Sequence, residues 1–513
     1  MQAPRTRPAA GLEPERVLFV TPECAPYAKV GGLADVVAAL PKALRRLGID
    51  ARIVMPLYGR IDRAARGVQP DGAACVHMGG GVEHWIGVHR ARLDRDVPVW
   101  LIDFDAYYGR RGIYHAAGHE YLDNGHRFAL LSKAALQLCK DRGFIPDVMH
   151  LHDWPAAVTA VFLKTWDRIH SALSSCASVL TIHNIGHQGK VPADVFGYLG
   201  VGGELYSPDV FEDYGRVNLL KGGICFADAI TTVSPTHLRE ILSPDGGHGL
   251  APYLNRRGED LAGILNGVDY EHWNPETDPL LPRRYSARDL SGKAECKLAL
   301  QRYFHLPERP ELPLFGLVTR LALQKGIDLL RHSLPRALGE LPMQLVALGA
   351  GEPEYERFFD WLTWTYRDRV GCHIGYSEEL SHLIEGGSDF FLMPSLYEPC
   401  GLNQIYSMKY GTLPVVRSTG GLADTVESYD PATGAGTGFC FDDPTGDAVH
   451  GTLRWVVETW FRRRDHIAAM RRRAMAKDFS WGPSTRQYVE VYRRAMTRRR
   501  SWGPDGAGGG SNK

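Results

Sequence analysis

The chain has 513 residues, enough for two or three domains of ordinary size. Hydrophobic residues make up 44% and charged residues 23%, the composition of a soluble globular protein, and 59 Lys plus Arg are matched by 59 Asp plus Glu. That balance leaves no global field to draw the chain to nucleic acid or an anionic membrane, and no run approaches the ~20 apolar residues of a membrane helix. Nine scattered cysteines, an odd number with no Cys-x-x-Cys pair, favour reduced thiols in a cytoplasmic compartment over disulfides or a zinc knuckle. Met1 to Glu15 is polar without an apolar core, so it does not read as a secretory signal; Arg5 and Arg7, with no acid nearby, leave a transit-peptide remnant open. The Gly-rich tail 503–513 reads as disordered.

Short apolar runs alternate with helical patterns along the chain. Strands are expected at Arg16–Thr21, Ala51–Met55, Asp147–Leu151, Ala177–Ile182, Ala229–Val233, Leu314–Thr319, Gln344–Leu348, Phe390–Met393 and Leu413–Val416, with helices such as Leu33–Leu47, Trp154–Trp166 and Asn403–Tyr410 between them. Runs this continuously apolar fit parallel strands covered on both faces, so the pattern predicts doubly wound α/β domains. Gly31-Gly32-Leu33-Ala34-Asp35-Val36 is echoed by Gly420-Gly421-Leu422-Ala423-Asp424-Thr425-Val426. The echo is either two ordinary strand-to-helix turns or two Rossmann-like halves facing across a cleft. The polar stretch near Pro252–Asp260 suits a hinge. The division expected is 1–258, 259–483, a basic helix over 484–502 that crosses back to the first domain, and the tail.

In open α/β sheets ligands bind beyond the carboxyl ends of the strands, so the residues just after each strand are the candidates. The first half offers Glu23, Lys29-Val30-Gly31-Gly32, His152-Asp153-Trp154 and His183-Asn184; the second offers Arg320, Lys325, Gly349-Ala350-Gly351-Glu352, Glu398-Pro399-Cys400-Gly401 and Gly420-Gly421. Lysine followed by two glycines before a helix can cradle phosphate, through close backbone approach, free amides and a point charge. The glycine spacing fits neither the dinucleotide fingerprint nor a Walker motif. His150-x-His152-Asp153 resembles a metal cluster, yet alternate residues at a strand end do not converge unaided; histidines in a hydrogen-bond network are the reading adopted, and no metal is expected. Arg320 and Lys325 bring two cations to one turn, which favours an anionic ligand over plain surface solvation. Glu398, beside a helix start, reads equally as a cap.

Together these segments resemble the glycogen and starch synthases of glycosyltransferase family 5, from about Arg16 to Tyr492. The resemblance rests on Lys29-Val30-Gly31-Gly32-Leu33-Ala34-Asp35, His152-Asp153-Trp154, Thr181-Ile182-His183-Asn184, Val233-Ser234-Pro235-Thr236, Leu265-Asn266-Gly267-Val268-Asp269, Thr319-Arg320-Leu321, Gln324-Lys325-Gly326, Glu398-Pro399-Cys400-Gly401-Leu402 and Thr419-Gly420-Gly421-Leu422-Ala423-Asp424. It implies a GT-B fold, two Rossmann-like domains with the active site between them. It also implies ADP-glucose as donor, the non-reducing end of an α-1,4-glucan as acceptor, retention of configuration, and no cofactor or metal. By resemblance His183, Arg320, Lys325 and Glu398 are catalytic, the two cations on the diphosphate and Glu398 near the donor glucose. Lys29, Gly31 and Gly32 lie near diphosphate and acceptor, and Glu23 on the acceptor side. Asp153, Asn184 and the amides of Cys400, Gly401 and Leu402 orient the sugar, Asn266 lies near the phosphates, Tyr376 lies beneath the adenine, and Gly420 and Gly421 complete the site. Two departures stand out: Tyr406 occupies the place of a second glutamate found in many retaining GT-B enzymes, and Asn403 that of a threonine frequent in bacterial relatives.

The residues agree with that chemistry. Glycosyl transfer builds positive charge on the sugar and negative charge on the departing phosphate, where two cations and a helix start can stabilise it. No carboxylate pair is evident for a two-step scheme, so attack on the face the phosphate leaves, with the phosphate as base, is the reading favoured. Rival readings are a transferase using UDP-glucose or another acceptor, a phosphorylase with a pyridoxal cofactor, and a catalytically silent glucan-binding protein. Oligomeric state stays open.

Overall fold

The computed structural model describes residues 13–116, 118–168 and 171–501, so the tail read as disordered and the first twelve residues lie outside the described residues. The chain divides into two compact units. One comprises residues up to Val233, Leu238–Ile264 and the chain from Trp481 on; the other comprises Ser234–His237 and Leu265–Ser480.

The first unit is built on a nine-stranded sheet in the order Leu261–Gly263, Ala229–Thr232, Ala177–Ile182, Val148–His152, Arg16–Val20, Asp50–Pro56, Val97–Asp103, Glu83–Leu93 and Gln69–His77. The first seven pair in parallel, and the last two add as an antiparallel edge. Numbered along the chain, the parallel strands run 7-6-5-4-1-2-3, so the order reverses between Arg16–Val20 and Val148–His152. All nine strands expected from sequence are present within a residue or two. The hairpin Gln69–His77 and Glu83–Leu93 is absent from that reading because its residues are mostly exposed or half-exposed, with no continuous apolar run.

The last helix, Trp481–Ser501, belongs to the first unit. Tyr488 and Tyr492 are buried on it, and the Arg499 guanidinium donates to the carbonyls of Ser174 and Leu163 at 3.0 and 3.2 Å. The Tyr492 hydroxyl pairs with Nδ1 of His150 at 2.8 Å, while Nε2 of that ring meets Thr181 Oγ1 at 2.6 Å. The stretch read as a hinge is packed instead. It forms the helix Ala251–Asn255 and the turn Gly258–Asp260, then enters the sheet as Leu261–Gly263. Arg257 fixes it by donating to the carbonyls of Ile224 and Ala227. The first unit therefore reaches Ile264, because an edge strand still has a partner to pair with there.

The second unit carries six parallel strands in the order Val370–Ile374, Gln344–Gly349, Leu314–Val318, Phe390–Met393, Leu413–Arg417 and Phe439–Phe441. That is the Rossmann order 3-2-1-4-5-6, and it reverses between Leu314–Val318 and Phe390–Met393. Each sheet thus has one point where successive helices leave toward opposite faces and the loops at the carboxyl ends splay apart.

The seam between His150 and the last helix is testable. Tyr492→Phe leaves a buried imidazole nitrogen without its partner, so the first unit should lose about 1–3 kcal/mol of stability. Urea unfolding should show a lower midpoint at unchanged slope; an unchanged midpoint would deny the bond any net contribution.

Candidate active site

The two reversal points collect most of the residues singled out from sequence, while Tyr376 stands apart, beyond the edge strand Val370–Ile374. In the first unit, Glu23 follows Arg16–Val20 and is buried. Its Oε2 accepts from the amides of Val30 and Gly31 at 2.5 and 3.2 Å, and its Oε1 accepts from the Tyr114 hydroxyl at 2.6 Å. Burial raises its pKa, against the three hydrogen bonds that lower it. The carboxylate expected on the acceptor side is thus occupied in holding the Lys29–Gly32 loop. Tyr114 was not anticipated; it lies in an irregular segment that gives no pattern to read. That segment is braced by buried Arg127, which donates to the carbonyls of Tyr107 and Ile113 and to Asn124 Oδ1.

The loop itself is open. Lys29, Val30, Gly31 and Gly32 are all exposed, and a side chain built on Gly31 would meet nothing within 4 Å. No packing reason excludes a larger residue there, which leaves access to the helix start Gly32–Arg46 as the use of the glycine. Lys29 Nζ lies 2.7 Å from Asp35, with the lysine exposed and the aspartate half-buried. An ion pair of that kind contributes about 0–1 kcal/mol, so a doubly charged phosphate can draw the ammonium away.

Across the reversal, Asp153 opens the helix Asp153–Thr165 with φ of +55°, a left-handed conformation that asparagine and aspartate tolerate best. Its Oδ1 accepts from the His183 amide at 2.7 Å and the Asn184 amide at 3.5 Å, and burial pushes its pKa up to about 7. His183 Nε2 lies 2.9 Å from Nδ1 of His152, one nitrogen donating and the other accepting. Burial lowers the His183 pKa to about 3 and that of His152 well below its usual value, so both rings are neutral. A neutral imidazole suits a sugar hydroxyl better than a phosphate. His150, His152 and Asp153 form no metal-ligating group among the described residues, and the hydrogen-bond reading of these histidines is the one the geometry shows.

In the second unit, the Lys325 ammonium donates to Glu398 Oε2 at 2.6 Å, with Ser395 Oγ donating to the same oxygen at 3.1 Å. Both charged groups are largely buried, with side-chain exposures of 19% and 7%. Arg320 is exposed and touches only Gln324 Oε1 at 3.4 Å, so among the described residues its guanidinium has no carboxylate partner. One cation is held by the fold and the other is available to a ligand. Ser395 follows the strand Phe390–Met393 directly and was within reach of the same sequence rule.

Glycines set this turn. Gly326 has φ of +70°, and a Cβ there would lie 2.0 Å from the Pro394 carbonyl oxygen. Gly420 and Gly421 are buried under the Glu398–Cys400 backbone, where Cβ atoms would come within 1.9 and 2.1 Å of the carbonyl oxygens of Glu398 and Cys400. The sequence echo of Gly31-Gly32 therefore has a different physical reason here: close packing, not open access. Gln404, buried and unanticipated, donates to the carbonyls of Cys400 and Gly401 at 3.0 and 3.1 Å. Asn403 donates to the Val318 carbonyl at 2.8 Å, tying the helix Asn403–Lys409 to the first strand of this unit. Leu402 caps that helix. Asn266 is buried, its Oδ1 without a partner among the described residues, and Tyr376 stands 82% exposed beyond the strand Val370–Ile374.

Residues 16–256 match the family model described as "Starch synthase catalytic domain", and 304–473 match "Glycosyl transferases group 1". "Glycogen synthase 1" of Geobacter sulfurreducens is 48% identical over 93% of this chain and 95% of its own, and "Glycogen synthase" of Treponema denticola is 44% identical over 93% and 98%. The catalytic domain of starch synthase IV from Arabidopsis thaliana superposes with a TM-score of 0.86 at 35% identity, covering 95% of this chain and all of that one. Sucrose-phosphate synthase from Thermosynechococcus elongatus, at TM-score 0.59 and 18% identity over 94% of this chain and 99% of its own, shares the fold. Two Rossmann-like units, each with a strand-order reversal lined by polar and glycine residues, define a GT-B glycosyltransferase. The chain belongs to the glycogen and starch synthase family, and its activity is glucosyl transfer of that type.

Asp153 gives a pH prediction with a definite sign. With its folded pKa raised to about 7, the folded protein keeps a proton that the unfolded chain releases near pH 4. Stability should fall as pH rises from about 4 to about 7 and then level off. Asp153→Asn keeps an acceptor for both amides and tolerates the left-handed backbone. It should therefore fold and flatten that limb in pH-dependent unfolding. A limb of equal size in the variant would assign it to another group.

Proposed function

We propose that the chain transfers glucose from ADP-glucose to the non-reducing end of an α-1,4-glucan with retention at the anomeric carbon, releasing ADP. The observation that carries the donor side is the second unit's reversal point. There Arg320 is left without a carboxylate partner, and Lys325 keeps two of its three ammonium donors beyond the one given to Glu398. The Arabidopsis starch synthase, described as bound to ADP and acarbose, supports an adenine nucleotide. Exposed Tyr376 supplies a ring for the base, and the turn at Cys400–Leu402 supplies amides for the sugar.

In this reading the acceptor hydroxyl oxygen bonds to the anomeric carbon as the bond from that carbon to the phosphate oxygen breaks. The hydroxyl proton passes to the departing phosphate, which lies on the attacked face. Arg320 and Lys325 neutralise the charge that grows there, with no cofactor and no metal at the phosphate. In the first unit, neutral His183, Asp153 and Asn184 take sugar hydroxyls, while Lys29 and the Gly31–Gly32 loop take negative charge. A cavity of about 520 Å³ opens in that unit, lined by Tyr121, Trp154, Gln188 and Arg216 among others, a polar and aromatic lining suited to glucan. All nine cysteines are free, and no helix among the described residues is long and apolar enough to cross a membrane; we place the protein in the cytoplasm.

Arg320→Ala should lower kcat by about 10²–10³-fold, more than it raises the donor KM, because the contact strengthens as the phosphate leaves. Arg320→Lys should recover only part of that loss, since an ammonium cannot bridge two oxygens as a guanidinium does. Turnover with ADP-glucose and glycogen should exceed that with UDP-glucose and outlast excess EDTA. A preference for UDP-glucose, or activity abolished by EDTA and restored by magnesium, would overturn the respective part.

Tyr376→Ala should weaken ADP binding by about 1–3 kcal/mol in calorimetry, in line with base–aromatic stacking. At this exposure the ring is not part of the core, so the melting temperature should not move.

A further inference from the structure

The second unit holds a cluster that the donor-side residues do not use. The helix Glu378–Gly387 begins after Ser377, whose side chain caps it. Glu378 and His382 stand four residues apart and therefore share one helix face. His272 comes from the turn after Asp269, a turn held by the Glu271 amide on Asp269 Oδ1 and the Trp273 amide on the Asp269 carbonyl. Its Nε2 lies 3.0 Å from Glu378 Oε1, and one candidate ligand atom from each of His272, Glu378 and His382 lies within 4.8 Å of the other two.

His382 decides what this cluster is for. The ring is buried, and its Nδ1 bonds Asp278 Oδ2 at 2.7 Å, an oxygen that also accepts from the Tyr410 hydroxyl at 2.5 Å. Trp273 stacks on the imidazole at 3.8 Å between centroids and 12° between planes. Tautomer and orientation are thereby fixed, which is how a carboxylate presents a histidine to a metal. The other nitrogen, Nε2, is buried and has no hydrogen-bond partner among the described residues. Other buried imidazole nitrogens among the described residues lack a partner too, His84 Nε2 and His152 Nε2 for example, but neither residue belongs to a group of metal-ligating side chains as His382 does.

We propose that His272, Glu378 and His382 form a binding site for a divalent transition-metal ion of the zinc type. Two imidazoles and a carboxylate are a zinc donor set, and three protein ligands leave one position for water. His382 would bind through Nε2, His272 through its nitrogen facing Glu378, and Glu378 through its carboxylate. The ion would clamp the segment that follows Asn266 to the helix Glu378–Gly387. None of its ligands is among the residues that meet the phosphates, so it is a separate matter from the leaving group.

The test uses the full chain, stripped with EDTA, dialysed and titrated with zinc chloride by calorimetry, and with cobalt followed by visible absorption. One equivalent of zinc should bind, and cobalt should give the intense bands of a low-coordinate site. His272→Ala and Glu378→Gln, both at exposed positions that spare the fold, should each weaken zinc by about tenfold or more. The described residues hold one other candidate, Cys75, His77 and Glu83 on the hairpin of the first unit, so His77→Ala is the control and should bind zinc as the unaltered chain does. Absence of a stoichiometric equivalent would overturn the site, as would zinc binding unchanged in both variants. Loss of the equivalent in His77→Ala alone would move it to the hairpin and equally refute the proposal.

Discussion

The ion pair between Lys325 and Glu398 is the contact on which the second unit's reversal point rests. It joins the turn after one strand to the turn after the next strand across the reversal point, at 2.6 Å and largely out of water. Removing one partner of such a pair typically costs about 3–5 kcal/mol, because the other charge is left buried and alone. Its geometry demands that three stretches of backbone pass at contact distance. Gly326 lies against the Pro394 carbonyl, and Gly420 and Gly421 lie under Glu398 and Cys400, where no side chain fits. The Gln404 amide and Asn403 then tie the Cys400–Leu402 turn to its own helix and to the strand behind it.

The first unit solves a different problem with the opposite electrostatics. Here the groups at the reversal point are neutral or nearly so: two buried imidazoles, and an aspartate whose burial raises its pKa toward neutrality. Such a surface hydrogen-bonds hydroxyls without attracting a phosphate strongly. Exposed Lys29 sits on an open loop whose shape is fixed from below by buried Glu23, with Tyr114 and Arg127 behind it. The two reversal points thus differ in electrostatics: charged groups in the second unit, neutral hydrogen-bonding groups in the first.

Much of this was legible in the chain. Nine of the parallel strands announced themselves as apolar runs, while Val97–Asp103, Leu261–Gly263, Val370–Ile374 and Phe439–Phe441 went unread. Reading the residues just beyond the nine reached Lys29, Asp153, His183, Arg320, Lys325 and Glu398. The antiparallel hairpin was not legible, since a strand exposed over much of its length has no continuous apolar run to detect. Nor was the packing of Pro252–Asp260, whose polar residues look like a hinge until Arg257 is seen to satisfy two helix-end carbonyls.

What the sequence by itself determined is the class of fold and the set of candidate groups, because strand periodicity and loop chemistry are local properties of the chain. Their roles were decided only by tertiary structure. Identical Gly-Gly-Leu-Ala-Asp segments begin helices in both units, yet a Cβ on Gly31 would meet open space and one on Gly420 would lie 1.9 Å from the Glu398 carbonyl oxygen. Glu23 reads in sequence as a candidate ligand contact, and only the structure shows that it also supports a loop. The reason is the same in each case: a side chain's task depends on which partners reach it and how much water remains, and both are set by residues distant along the chain.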